Sequence, residues 1–319
     1  MNRLVLIDTQ NFFHRAFYAF PMSFTTPDGE SINAVYGFAT MLHALVQELK
    51  PTHLACADES EKELIFRQVE FPAYKATRVP KPPEEQALFD AQIPKLTEFL
   101  GTAHIPRLTS ESYEADDLIG TIVRRIPTDT EAYITSNDRD LMQLISPSAS
   151  LGATLSKVER VGGTVRFYLP NIGKTGGKIY GDKEFFEEYG FKPPQMIEYK
   201  ALRGDPSDNI SGVRGIGEKT AADLVCKYGT LEEIYKHLLD LKPAVAQKLN
   251  EGRDDAFLSR KLVTIVTDAP VEFEMEDLRF RGLSQPEVLA LFERWGFKSL
   301  LKKISDQRSQ NSNQAALPI

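Results

Sequence analysis

A parallel-rich β-sheet flanked by helices, continued by a largely helical C-terminal half, is the fold class that the sequence predicts. Two observations carry it. From Arg3 to about Ile145, apolar runs of strand length alternate with longer stretches of helical periodicity, the pattern of parallel strands joined by helical crossovers. After Pro193 the helical patterns are punctuated by RGDPSDN, GVRGIGEK and KYGT, and no strand signal returns until LVTIV at 262–266.

The elements follow in order. LVLI ends a first strand at Asp8, a helix spans about Asn11 to Ala19, and another runs from about Ala34 to Leu49. HLACA is a second strand ending at Asp58. The segment FPAYKATRVPKPP, from Phe71 to Pro83, is Pro-rich and basic and predicts an exposed, mobile stretch. A helical pattern near Glu85 to Leu100, a helix opening at Tyr113, the strand AYIT before Asp138 and a helix from about Arg139 to Leu144 complete the first half. Ser146 to Gly181 holds the glycines of VGGTV and GKTGGK and reads as strand hairpins or a flexible insertion. These signals divide the chain into an α/β core over 1–185, with a basic arch at about 71–90, a helical region over 186–304, and a disordered polar tail over 305–319.

Composition sets the outer bounds. A chain of 319 residues with 42% hydrophobic and 26% charged residues suits a soluble globular protein with a sizeable core. MNRLVLID enters a strand directly, with no leader pattern and no membrane-length apolar run, so a cytoplasmic location is expected. The two cysteines, Cys56 and Cys226, lie in apolar patterns without ligand spacing and are expected to be free and buried. A net charge of -7 argues against a polyanionic partner unless the carboxylates are clustered and neutralised by cations.

The carboxylates are indeed clustered. Asp8 and Asp58 sit at strand ends, Glu114, Asp116 and Asp117 fall within YEADDL, Asp138 and Asp140 within SNDRD, and Asp205 and Asp208 within GDPSDN. In an open parallel sheet the C-terminal edge of the strands is where ligands bind. Three carboxylates within four residues of one helix repel each other unless a cation compensates. All the donors are oxygens and the five histidines show no ligand spacing, which favours Mg²⁺ or Mn²⁺ over zinc. Two such ions can activate a water and clamp a phosphodiester, so phosphodiester hydrolysis is the leading chemistry. The plainer reading of any single pair is helix capping.

GVRGIGEKTA, residues 212–221, is not a phosphate-binding P-loop, because Glu218 intrudes before Lys219. Its GIG turn followed by an apolar helix reads instead as a helix-hairpin-helix at about 200–228. There Gly215, Gly217 and Thr220 would present backbone N–H groups to a phosphate, with Arg214 and Lys219 adding charge.

With LVLIDTQNFFHRAF, FPAYKATR, YEADDLIG, TSNDRDLMQL and ALRGDPSDNISGVRGIGEKTA in that order, the chain resembles the 5′-nuclease (flap endonuclease) superfamily, and within it the 5′-3′ exonuclease domains at the N-terminus of bacterial DNA polymerase I. The resemblance spans about residues 3–300. It implies a PIN-like α/β core and two or more Mg²⁺ or Mn²⁺ ions held by Asp8, Asp58, Glu114, Asp116, Asp117, Asp138, Asp140, Asp205 and Asp208. It also implies that Lys75 and Arg78 at the base of the arch contact the scissile phosphate. Arg67, Tyr74 and Lys81 are further DNA-binding candidates, with Tyr74 stacking on a base or else anchoring the arch. A K⁺ near Val213 and Ile216 would complete the hairpin.

The implied activity is 5′-3′ exonuclease and flap endonuclease cleavage of flap, nicked or 5′-overhang DNA, in replication and repair. A monomer associated with the bacterial nucleoid, with a polymerase fused or separate, is the expected setting. Competing readings are a catalytically silent module that binds DNA junctions and an acid-rich ribonuclease. The stretch from about Ser150 to Lys178 departs from the family pattern by its length.

Overall fold

The computed structural model describes residues 1–59, 65–146, 163–171 and 176–315, with side chains to 307. Six strands form one sheet: β1 (Asn2–Asp8), β2 (His53–Ala57), β3 (Arg107–Leu108), β4 (Thr130–Thr135), β5 (Thr164–Pro170) and β6 (Gly177–Tyr180). Their order is β3-β2-β1-β4-β5-β6, parallel throughout except for the antiparallel β5–β6 pair. The order reverses between β1 and β4, and at such a switch point the strand ends diverge and leave a crevice.

Fourteen helices are seen among the described residues. Before and around the sheet lie α1 (Thr9–Ala19), α2 (Asn33–Leu49), α3 (Phe66–Glu70), α4 (Pro83–Asp90), α5 (Ile93–Thr102) and α6 (Ala115–Arg125). After it come α7 (Asp182–Tyr189), α8 (Met196–Arg203), α9 (Glu218–Tyr228), α10 (Leu231–Lys236), α11 (Pro243–Glu251), α12 (Arg253–Val263), α13 (Pro286–Arg294) and α14 (Lys298–Ala315). None is long and apolar enough to cross a membrane.

The period-2 alternation of the strands sorts the core into two layers. Leu4 and Leu6 of β1 face one way, where Ala55, Ala132, Ile134 and Phe167 join them against α6 and the helical second half. Val5 and Ile7 face the other way, toward Phe13, Phe38 and Phe99 of α1, α2 and α5. Phe292, Phe297, Leu300 and Ile304 belong to this second layer, so α13 and α14 return to the side of the sheet opposite the other C-terminal helices.

Several expectations change on contact with the structure. Residues 139–144 form a 3-10 turn, and α6 begins at Ala115 with Glu114 as its N-cap. The polar tail read from residue 305 is helical to Ala315, in line with its Gln residues, which are good helix formers. Cys56 is buried, whereas Cys226 is exposed on α9, the helix face that its apolar neighbours leave to solvent. Most of the 150–178 stretch lies outside the described residues.

The LVTIV run is no strand. Leu262 and Val263 end α12, and the chain beyond them has its backbone groups satisfied by side chains in place of a ladder. Gln143 donates to the Val263 carbonyl and accepts from the Ile265 N–H, each at 3.0 Å. Arg67 takes the Leu262 and Thr264 carbonyls at 2.9 Å, and the Asp117 carboxylate accepts the Val266 N–H at 2.8 Å. Thr121 and Arg125 of α6 bond Ala269 and Val271 further along. This strip stitches the helical half to the α/β core.

Arg67 and Asp117 are the centre of that seam. The Arg67 Nη atoms meet both Asp117 oxygens at 2.7 and 2.8 Å, and Nη1 also reaches Glu114 at 2.7 Å. With its two carbonyl contacts, all five guanidinium donors are used. Asp117 further accepts the Glu114 N–H at 3.2 Å, and its side chain is wholly buried. In this arrangement both side chains serve the seam, since every Arg67 donor is used and the Asp117 carboxylate is fully buried. Arg67 is buried too, 3% exposed.

Removing one member strands the other as a buried charge, which costs about 3–5 kcal/mol. Arg67→Met is expected to lower the unfolding free energy by about that amount. Arg67→Lys should recover only part of it, since a lysine offers three donors on a single nitrogen. Urea unfolding reads both variants, and an Arg67→Met protein as stable as the wild type would contradict the assignment.

Candidate metal centre

Strand register delivers the first acids to one edge. Asp8 ends β1 opposite Ala57 of β2, so Asp58 follows beside it, while Ile7 pairs with Thr135 of β4, just ahead of Ser136 and Asp138. Asp8 caps α1 by accepting the Asn11 N–H at 3.2 Å and takes the Ser136 hydroxyl at 2.8 Å. Ser136 in turn accepts the Asp138 N–H, and Asp138 accepts the Asp140 N–H at 2.9 Å. Capping and clustering are thus the same geometry: the acids sit at element N-termini, where free N–H groups and the helix dipole favour negative charge.

The helical half contributes the rest. Asp205 and Asp208 lie in a loop closed by a two-residue bridge, in which Asp205 and Ile210 exchange N–H···O bonds of 2.8 Å. The loop ends cross so closely that a Cβ on Gly212 would collide with the Gly204 backbone, and both glycines have positive φ. Only glycine allows that crossing.

Burial and mutual repulsion act most strongly on three acids. Burial, with Asp138 and Glu59 nearby, pushes the Asp8 carboxyl up to about 7 from its ordinary 3.8, against the pull of Ser136 and Asn11. Asp116 is raised well above the usual range by burial and then by Asp138, Asp8 and Glu114. Asp138 is raised by burial and by Asp208 and Asp205, with Lys200 opposing. None of the three has a salt-bridge partner among the described residues.

The other acids are matched to cations. Asp58 is held by Arg107 through Nε at 3.0 Å and through Nη2, and it also accepts Gln10 and the Glu59 N–H. Glu114 accepts Lys75 Nζ and the Tyr74 hydroxyl, the latter at 3.1 Å. Asp208 accepts Arg78 at 2.7 Å and the Tyr74 hydroxyl at 3.1 Å. Lys200 of α8 joins Asp140 to Asp205, the latter at 2.5 Å. Burial would raise Asp205, but Lys200 and Ser207 outweigh it and hold the carboxyl at about 2.

The arch base is anchored where an exposed, mobile segment was expected. Tyr74 is 4% exposed and packs with Ile210, Leu262 and Val263, so the ring holds the segment down and is not presented to a base. Lys75 adopts φ +58° and donates its N–H to the Asp208 carbonyl at 2.9 Å. Val79 is 91% exposed, so the free part of the segment begins there. The Lys81 ammonium lies 4.1 Å over the Phe89 ring. Arg214, in the loop between α8 and α9, and Lys219, in the first turn of α9, are exposed, and Gly217 is the N-cap of α9. Gly215 has positive φ, and its carbonyl accepts Lys248 at 3.0 Å.

Four partners escaped the sequence reading: Lys200, Arg107, Ser136 and Glu59. Ser136 lies within the SNDRD motif and adjoins its acids. Lys200 carries one signal, a lysine in a helix whose neighbours Tyr199, Ala201 and Leu202 are all buried. Arg107 and Glu59 carry none.

The donor set suits a hard divalent cation. It is all oxygen, three of its carboxylates have no salt-bridge partner among the described residues, and a cavity of about 20 Å³ touches Glu114, Asp116, Asp140 and Asp208, room for one water-sized occupant. A larger cleft of about 540 Å³ opens on the other side of Asp140, past Asp138, Lys200 and Asp205. Among the described residues, no three acidic, His or Cys side chains yet stand in a geometry that would hold one ion.

Residues 3–190 match the family model described as "5'-3' exonuclease, N-terminal resolvase-like domain", and residues 191–286 the one described as "5'-3' exonuclease, C-terminal SAM fold". The chain belongs to the 5′-3′ exonuclease family. Relatives in this family include the DNA polymerase I of Bacillus caldotenax, 37% identical over 98% of this chain and 34% of that protein, and of Bacillus subtilis, 36% identical over 99% and 34%. The chain thus spans about one third of the length of these relatives. The fold is shared with a bacteriophage T5 flap endonuclease solved with DNA and metal ions, with a TM-score of 0.64 and 19% identity over 96% of this chain and 97% of that one. It is also shared with human GEN1 bound to Holliday junction DNA, with a TM-score of 0.54 and 12% identity over 92% and 67%.

Raised carboxyls have a consequence for stability. The folded Asp8 binds a proton more tightly than the unfolded chain does, so its contribution is full below about pH 4 and is lost as pH rises to about 7. Asp205 acts below this window. His14, His43 and His53, lowered by burial, run the opposite way. The comparison with Asp8→Asn isolates the effect. In a chelator, raising the pH from 5 to 8 is expected to lower the melting temperature of the wild type relative to Asp8→Asn, and adding Mg²⁺ at pH 8 to close the gap. Parallel pH profiles for the two proteins would contradict it.

Proposed function

We propose that this chain is a metal-dependent, structure-selective 5′-3′ exonuclease and flap endonuclease that hydrolyses DNA near single-to-double-strand junctions, in replication and repair. The observation that carries the reading is the convergence of Asp8, which is buried, with the half-buried Asp116 and Asp138, none of them in a salt bridge among the described residues, at the sheet's switch point. The names and titles of the relatives, a DNA polymerase I and a flap endonuclease with DNA and metal ions, support it.

Asp8, Glu114, Asp116, Asp138, Asp140, Asp205 and Asp208 would hold Mg²⁺ or Mn²⁺, with Asp58 supporting them from its Arg107 pair. When bound, two such ions supply an activated water and stabilise the leaving oxygen. Ser136 orients the Asp8 carboxylate, and the Asn11 amide fixes the other Asp8 oxygen. Lys75 and Arg78, released from Glu114 and Asp208, would face the phosphate and neutralise its developing charge.

On the helical side, the turn around Gly215 to Thr220 would act as a helix-hairpin-helix that meets the duplex backbone, with Arg214 and Lys219 adding charge and Lys81 contacting the strand at the arch. A K⁺ near Val213 and Ile216 belongs to this reading, beside the ammonium that Lys248 already gives the Gly215 carbonyl. A polymerase, fused or separate, is the proposed partner, and the bacterial cytoplasm the proposed setting.

A flap substrate with Mg²⁺ tests the proposal: the wild type should cleave near the junction and Asp138→Ala should not. Equal cleavage by both, or none by the wild type, would overturn it. For Lys75→Ala, the single-turnover rate is expected to fall by about 10²–10³, the loss typical of a group aimed at transition-state charge. Its DNA Kd should move far less. A change confined to Kd would assign Lys75 to binding alone.

A further inference from the structure

We infer that the Lys200 ammonium is a built-in cation that occupies one side of the carboxylate cluster and must be displaced before Asp140 and Asp205 can share a divalent ion. The inference rests on the metal-dependent reading above. Lys200 projects from α8, a helix packed on α9 and α12, and is 9% exposed. Its Nζ bridges Asp140, from the turn after β4, and Asp205, from the loop after α8. Two carboxylates from separate halves of the molecule converge on one nitrogen, the arrangement a hard cation would take with the same oxygens.

Charge and flexibility make that nitrogen a replaceable occupant. An ammonium brings one positive charge where a divalent ion brings two, and both Asp140 and Asp205 would gain from the exchange. The lysine stem has four methylenes and rotates freely, unlike the planar guanidinium of Arg67, which five hydrogen bonds fix in place. The cleft of about 540 Å³ that Lys200 lines gives the side chain somewhere to go.

The ammonium has a second effect while in place. It keeps Asp140 and Asp205 together across the seam between the two halves, so this part of the site stays assembled without an ion. The cost falls on the affinity of the ion that Asp140 and Asp205 would share, because it must first break two charge-assisted contacts.

Mn²⁺ titration of the metal-stripped full chain, followed by the EPR signal of free Mn²⁺, tests this without any activity assay. The wild type should bind a tighter and a weaker ion. Lys200→Met should strengthen the weaker site by about tenfold or more, the size expected for losing a charged competitor, and leave the tighter one within about twofold. Lys200→Arg should not strengthen it. Arg203→Gln removes a charge from the same cleft, from a residue paired with Glu218 and not with Asp140 or Asp205, and should shift it by less than about threefold.

An unchanged or weakened site in Lys200→Met overturns the inference, as does equal strengthening by Arg203→Gln, which would make the effect one of diffuse charge. No Mn²⁺ binding by any protein would overturn the metal-dependent reading and this inference with it. Circular dichroism checks each variant's fold, and Lys200→Gln repeats the measurement should the methionine disturb it.

Discussion

Repulsion among crowded carboxylates is the constraint around which this molecule is organised. The sheet register and the N-terminus of α6 bring Asp8, Asp116 and Asp138 together regardless of their charge, and burial makes that repulsion expensive. The chain offsets it in three grades. Asp117 and Asp58 are matched to arginines, the former by a fork that uses every donor. Asp140 and Asp205 are matched to a lysine, a point charge on a flexible stem, while Glu114 is shared between Lys75 and Arg67 and Asp208 pairs with the half-exposed Arg78. Asp8, Asp116 and Asp138 are in no salt bridge among the described residues: Asp8 receives an amide and a hydroxyl, Asp138 an amide, and lysines act on Asp116 and Asp138 only from beyond contact. Permanence of the counter-charge therefore decreases toward the centre of the cluster, and that gradient separates framework acids from those available to an ion.

How much of this could be read in the sequence follows from the range over which each signal acts. β1, β2 and β4, with an acid at or just past each end, were legible because a buried parallel strand is a short apolar run and the acid is its neighbour in sequence. YEADDL, SNDRD and GDPSDN were legible for the same reason. The seam that Arg67 and Asp117 make was not legible because its partners lie far along the chain, at Leu262, Thr264 and Val266. LVTIV was misread: its β-branched residues suit a strand, but the side chains of Arg67, Asp117 and Gln143 had already claimed the backbone groups a ladder needs. Arg107 belongs to the same class, one residue of a two-residue strand whose meaning depends on Asp58 across the sheet.

The helical half is more than a platform for binding. It supplies Asp205, Asp208 and Lys200 to the cluster, and its strip after α12 completes the shell around Asp117. The Gly204–Gly212 crossing sets where Asp205 and Asp208 point, while the GIG turn a few residues on faces solvent. One loop therefore joins the acids of the cluster to the turn around Gly215, with the Gly204–Gly212 crossing between them.

The net charge of -7 takes on a different meaning once burial is included. Among the described residues, Asp8, Asp58, Glu114, Asp117, Asp205 and Asp208 are each below 10% exposed, and so are Arg67 and Lys200. Counted formally, six acids against two bases place four of the seven net negative charges in buried residues, with Asp8 only partly ionised at neutral pH. What a distant phosphate backbone meets is the exterior, where Arg214, Lys219 and Lys248 surround the hairpin turn and are all exposed. At the cluster itself the field reverses once ions are bound, because the negative charge concentrated there is what draws divalent cations in. On the proposed function, acidity of the whole chain and affinity for a polyanion are compatible, since the same residues that make the protein acidic would hold the cations that meet the phosphate.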